Sequence, residues 1–370
     1  LAREFSDLAE FKTREVAQKG IVDELHALND WAQVRRFVTR SQAYFGTERA
    51  RTTAWHPIGR ALGIKVYPDE MLLRGAAGAA ATGSEDEFYL ASSFLGGWLR
   101  QRRLATTGAG LSTDEPARTV RNFLTVASDD NRRRDLLLAV YGNPPPEVTG
   151  PLSTEDLEVL VGSATLFACD GKRRLYFHML GVFRSVDWEK FKSVVSNAWE
   201  TIPMAETAAC CSALVQSACD ARPAVEKDGT RLADEEVDWF LGLLAQVAEP
   251  DDLEHTAWWD LEQMVKRRSN PVPLSWFVEF IKTRRSILQS LTSEEERKRF
   301  DLLPHGNRPT SLLGRTSPEV RVDDAPVREL LELAKDDSYL GYRLPEYMTD
   351  VDPSGTVAPD LVAAEVPQDP

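Results

Sequence analysis

Between Ser153 and Gln289 the apolar residues return at intervals of three and four, and six short breaks interrupt the recurrence. Leu157, Leu160, Val161, Ala164 and Ala168 form one stripe. Trp188, Phe191, Val195, Ala198 and Ile202 form another, and Leu274, Phe277, Val278, Ile281 and Leu288 close a series of seven. That spacing places the apolar side chains on one face of an α-helix. The breaks fall at Gly171, Ser185, Pro203, 222–231, Pro250 and 271–273, and several carry the Pro and Gly that end helices. The pattern predicts seven helices of about 15–18 residues joined by short connections. No one-striped helix buries its apolar face alone, so neighbours must stack, with successive helices antiparallel.

Helical signals also fill the first third of the chain. Ile21, Leu25, Leu28 and Trp31 keep helical spacing, and Pro68 to Ala80 reads as an Ala-rich, closely packed helix. Ser84 with Glu87 has capping-box spacing and launches a helix toward Arg103; Ser112 with Glu115 marks another start. Asp129 caps a helix that ends at Tyr141 and Gly142. Only Lys65 to Tyr67 and Glu319 to Val322 read as extended pieces. The expected fold is all-α. A chain of 370 residues is long enough for more than one core. Asn143 to Pro151, with four prolines in nine residues, is the expected boundary. The expected organisation is an N-terminal helical domain over 1–142, a linker over 143–152, a helical array over 153–303 and an irregular acidic strap and tail over 304–370.

Taken in pairs, the helices of the array begin near residues 153, 187, 232 and 273, at spacings of 34, 45 and 41. In architecture this resembles the HEAT and armadillo class of α-solenoids, and the strict tetratricopeptide pattern is not present at its required offsets. The resemblance implies a HEAT-like stack of antiparallel helix pairs whose groove receives a protein or peptide.

Charge is uneven. Residues 1–134 hold 20 Lys and Arg against 17 Asp and Glu, net +3, whereas residues 316–370 hold 4 against 13, net −9. An overall net charge of −14 makes nucleic acid a disfavoured partner, because phosphate binding depends on Lys and Arg. One arrangement would offset this. Arg132, Arg133 and Arg134, then Lys172, Arg173 and Arg174, then Lys266, Arg267 and Arg268 recur near helix ends. Aligned along one edge, they would make a basic ridge able to follow a phosphate backbone.

No stretch approaches the roughly 20 uncharged apolar residues of a membrane span. Four Cys are too few for a disulfide framework and suit a reducing, cytoplasmic setting. Leu1 to Lys19 reads as a charged amphipathic helix without the apolar core of a signal peptide, as expected of a piece of a larger protein.

Few residues point to chemistry. The Gly/Ala-rich run from Gly75 to Gly83 lacks the Lys-Ser/Thr of a phosphate loop and follows no strand. Cys210, Cys211 and Cys219 share one helix and read as core. Asp251 and His255, four apart, could form an acid–base or metal pair, but Pro250-Asp251-Asp252 is also an ordinary acidic helix start. We therefore expect no catalytic, cofactor or metal site. The expected function is a non-enzymatic scaffold or sensor that binds a protein or peptide. Its expected contact residues are Trp259, Trp276, Arg284, Arg285, Tyr339, Tyr342 and Tyr347, since Trp, Tyr and Arg anchor most interfaces. The strap, with Leu330, Leu331 and these tyrosines as anchors, is expected to dock on its own array up to about Tyr347.

Overall fold

A computed structural model describes residues 11–42, 48–109, 114–142, 151–220, 233–270, 272–303, 312, 325–335, 339–340 and 342–343. These residues form sixteen α-helices and a few 3-10 turns, with no strand among them. The all-α class is therefore as expected. The chain divides into two compact units, residues 1–197 and 198–370, so the Pro-rich stretch falls inside the first unit. Residues 143–150 themselves lie outside the described residues, as does the expected extended piece at 319–322.

Unit 1 contains α1 (Phe11–His26), α2 (Trp31–Ser41), α3 (Glu48–Val66), α4 (Glu70–Thr82), α5 (Glu85–Ala109), α6 (Asp114–Val126) and α7 (Asp130–Tyr141). It continues with α8 (Thr154–Gly162), a 3-10 turn (Ala164–Phe167), α9 (Arg173–Gly181) and most of α10 (Trp188–Trp199). The 25-residue α5 is its centre and packs against α2, α3, α4, α6 and α7. Phe88, Leu90, Ala91, Phe94, Leu95, Trp98 and Leu99 are all buried, which clothes α5 in apolar groups on most sides. Such a helix is stable only when surrounded.

The closest partner of α5 is α3, and glycine makes the approach possible. A Cβ at Gly63 would lie 2.1 Å from the Phe94 carbonyl oxygen, and one at Gly97 would lie 2.0 Å from that of Arg60. Neither separation can hold a carbon atom, so the two backbones touch where side chains are missing. Lys65 and Val66 belong to α3 and are not extended; Val66 is buried, and its packing outweighs its β-branched preference. The chain then turns through a cis Tyr67–Pro68 bond, and Asp69 caps α4 by accepting from the N–H groups of Met71 and Leu72.

Unit 2 contains α11 (Thr207–Asp220), α12 (Asp234–Leu244), α13 (His255–Lys266), α14 (Leu274–Ser290), α15 (Glu294–Arg299) and α16 (Ala325–Lys335). Cys210, Cys211, Leu214 and Val215 of α11 are buried, as are Leu241 of α12 and Trp258, Leu261 and Met264 of α13. The main contact runs between α11 and α13, with α12 against both, while α14 carries α16. The seven helices expected over 153–290 are α8 to α14. Their lengths of 9 to 17 residues fall mostly below expectation. Turns at 164–167, 204–206 and 250–252 take up the difference in 3-10 form. Gly171, at φ 69°, makes a left-handed turn before α9 that other residues adopt only with strain.

Two Gly→Ala exchanges in helix interiors separate close approach from helix propensity. G63A drives a methyl into the Phe94 carbonyl and should lower urea-unfolding stability by about 1–3 kcal/mol. G78A meets nothing within 4 Å on α4 and should raise it by about 0.4–1 kcal/mol. Equal effects from the two would mean that α3 and α5 are not in backbone contact.

Candidate functional site

The last carbonyls of any α-helix lack intrahelical partners, and in this protein arginine supplies them repeatedly. Arg132 donates from Nη1 to the Ala80 carbonyl and from Nη2 to that of Gly83, closing the end of α4 with its guanidinium 5.0 Å from the Phe88 ring centroid. Arg133 donates to Leu124 and Ala127 at the end of α6. Arg134 donates to Leu166 at 2.8 Å in the 3-10 turn. Successive helical residues are turned by about 100°, so one triplet on α7 reaches three different neighbours.

The other cations of the basic triplets have partners too, or lie at the surface. Arg173 donates to the Ala168 carbonyl and pairs with Asp170. Arg268 lies between Asp234 and Asp238, and Lys266 pairs with Glu262 at 3.9 Å. Arg267 caps α13 and is half-buried; Lys172 and Arg174 are exposed. Most of these cations already serve helix ends and carboxylates of their own unit. Moreover, the first two triplets belong to unit 1 and the third to unit 2.

Arg284 also departs from expectation. It is fully buried, and its guanidinium donates to the carbonyls of Ala245, Val247, Ala248, Asp301 and Leu302. Its Cζ lies 4.5 Å from the Phe300 ring centroid and 5.5 Å from that of Phe280. Arg284 thus joins the end of α12 to the chain after α15 and offers nothing to an outside partner. Its neighbour Arg285, turned away on the helix, is half-buried.

Two polar clusters in unit 1 could suggest chemistry. Asp156 is 1% exposed and accepts from Arg103 Nη2 at 2.8 Å and from Tyr141 Oη at 2.9 Å, while completing a capping box with Ser153. Burial, with the Asp156 charge beside it, pushes the Tyr141 phenol well above its ordinary value. The cluster ties α5, α7 and α8 together and has no face open to substrate. The other pair is His56 and Ser93, hydrogen-bonded at 2.7 Å between Nδ1 and Oγ. A hydroxyl beside an imidazole is the start of a nucleophilic pair. However, Ser93 is 2% exposed in the middle of α5. Burial, then the charge of Arg60, holds the imidazole below its usual pKa, whereas a catalytic base needs its cation stabilised. The pair reads as a clasp between α3 and α5.

Elsewhere the titratable groups do not converge. Cys210, Cys211 and Cys219 are buried thiols in no disulfide, and burial pushes Cys211 up to about 12. Asp251 sits in a 3-10 turn, Leu253 is extended, and His255 begins α13, so Asp251 and His255 do not share a helical face. Among the described residues no group of three His, Cys, Asp or Glu side chains could hold a metal ion.

The aromatic residues are more informative. On α13 the adjacent tryptophans divide, with Trp258 3% exposed and Trp259 55% exposed. The Lys266 amine lies 5.3 Å from the Trp259 ring centroid. Thr256, Trp259, Gln263 and Lys266 follow one helical face, turned away from the core stripe of Ala257, Trp258, Leu261 and Met264. Trp276 is half-buried against Phe280. Tyr342 is exposed, whereas Tyr339 donates to the Leu303 carbonyl at 3.5 Å; Tyr347 lies outside the described residues. Of the expected contact residues, Trp259, Tyr339 and Tyr342 are exposed, Trp276 and Arg285 half-buried and Arg284 fully buried. Comparison with protein families, with characterised proteins and with solved structures found no match.

Two measurements follow from these geometries. R284M leaves five carbonyls short of a buried donor and should cost about 3–5 kcal/mol in unfolding, whereas R285A should cost less than about 1. Comparable costs would put the guanidinium outside its cage. For His56, the unfolded chain takes up a proton at higher pH than the folded one. Stability should fall as pH drops below about 6.5 and level off beneath the folded pKa. H56N should flatten that part of the profile in urea titrations at pH 5 to 7; parallel profiles would remove His56 as its source.

Proposed function

We propose that the protein is a non-enzymatic interaction module, and that the outer face of α13 in unit 2, centred on Trp259, contacts a protein or peptide partner. The observation that carries this reading is the 55% exposure of Trp259 beside a fully packed Trp258. A Trp held in water on a rigid helix is the residue type that most often anchors an interface. Lys266 covers part of the ring and would move aside or pair with a partner carboxylate. HEAT-like stacking of antiparallel helices in a cytoplasmic protein is the architecture that this reading carries with it. No described helix is long and apolar enough to cross a membrane.

The test is site-specific photocrosslinking in the native host, with benzoylphenylalanine at position 259 and, as control, at exposed position 298. A reproducible protein adduct at 259 alone is expected. W259A should lose the complex while changing stability by less than about 0.5 kcal/mol. Equal adducts at both positions, or none, would reject this face. Tight, salt-sensitive nucleic-acid binding that is lost on changing Lys266, Arg267 and Arg268 to Ala would replace the reading.

A further inference from the structure

The strap holds a second, independent surface. In α16, Val327, Leu330 and Ala334 are buried at i, i+3 and i+7, while Arg328, Glu329, Glu332 and Lys335 face water. The helix has eleven residues, and isolated helices below about 12–15 residues are marginal in water. Its helicity therefore depends on what it rests against, which is α14. Glu329 of α16 pairs with Lys282 of α14, whose amine also bonds Glu279 of its own helix. Both these carboxylates raise the Lys282 pKa. Beyond α16, Leu340 is buried and Tyr339 reaches the Leu303 carbonyl.

This mode of attachment is the one by which an amphipathic helix enters a groove: three apolar anchors on one stripe and one charge that sets register. It differs from the attachment of α3, whose backbone is in contact with α5, and from that of Arg284 in its cage. Elements held by one stripe and an exposed ion pair open at low free-energy cost compared with a core helix. The residues from 316 on are also strongly acidic, 13 Asp and Glu against 4 Lys and Arg.

We propose that the α14 face around Lys282 is a receptor for an amphipathic helix of another protein, and that α16 occupies it in cis until displaced. The partner helix carries apolar anchors at i, i+3 and i+7 and an acidic residue at i+2, the position of Glu329 relative to Val327. The cis helix holds the site by effective concentration, so the face is closed when the partner is scarce. The inference rests on the reading of unit 2 as an interaction module but uses a face other than that of Trp259. Crosslinking at 259 tests that reading and the assay below tests this one, so either can fail alone.

The assay uses the full chain and a fluorescent peptide of residues 325–343. L330E removes the central anchor and should free α16, visible as fast amide exchange over 325–335 with α14 still protected. The peptide should then bind L330E at least tenfold more tightly than it binds the unaltered protein. K282E in that background should weaken binding about fivefold, and an E329K peptide should restore it. If L330E loses helical signal beyond α16, the milder L330A serves instead. Equal peptide binding with and without the anchor, or indifference to the charge exchange, overturns the proposal. A concentration-dependent dimer of L330E that excludes the peptide also overturns it, and makes a second copy the occupant.

Discussion

The hydrogen bond from a guanidinium to the unpaired carbonyls of a helix end recurs through both units. Short helices are costly in this respect, since each exposes four carbonyls whatever its length. A fold made of helices of 6 to 19 residues beside one of 25 has many such ends close to its cores. Arg132, Arg133, Arg134 and Arg173 close ends in unit 1, joined by His178, which donates to the Gly142 carbonyl at 2.7 Å. Arg284 and Arg297 do so in unit 2, the latter at Leu291. Charge-assisted bonds of this kind contribute about 1.5–3 kcal/mol each, more than a neutral pair. They also use the helix dipole, which favours cations at the C-terminus.

The acidic counterpart operates at helix starts and in the core of unit 1. Glu87 is 2% exposed and accepts from Trp31 Nε1 at 3.0 Å and from Arg35 Nε at 2.7 Å, so one carboxylate fixes α2 against α5. Asp156 does the same for α5, α7 and α8. Replacing such groups by apolar ones of similar shape can leave stability unchanged, whereas removing one partner leaves a buried charge. Their contribution is best described as register: they admit one arrangement of helices whose apolar stripes alone would permit several. Ser84 of the predicted Ser84–Glu87 pair does cap its helix by accepting from the Glu87 N–H, Ser153 likewise accepts from that of Asp156, and Ser112 lies outside the described residues. In both cases the acidic residue at the third position also serves the tertiary structure.

The two proposed interaction surfaces differ in kind from this framework. Trp259 and the α16 contact with α14 are held by few groups and face water, while the arginines that looked available from their positions in the chain are spent within it. Trp259 is turned about 100° from Trp258 on the side away from Ala257, Leu261 and Met264, which places it off the stripe.

Local patterns carried the helical content, most of the breaks and several caps. Helical spacing, Pro, Gly and Asp or Ser starts act over four or five residues, and nothing in the tertiary structure opposed them at Asp129, Ser153 or Pro250. The burial of Cys211 and Trp258 was legible for the same reason. What depended on distant residues was not. Backbone contact between α3 and α5 needs Gly63 to meet Phe94 and Gly97 to meet Arg60. The division near residue 197 follows from packing summed over many helices. Arg284 and Arg285 are adjacent and chemically identical, and only the position of the α12 carbonyls decides which one is caged. Sequence specifies what a side chain can donate; the tertiary structure alone determines which acceptors are orphaned within its reach.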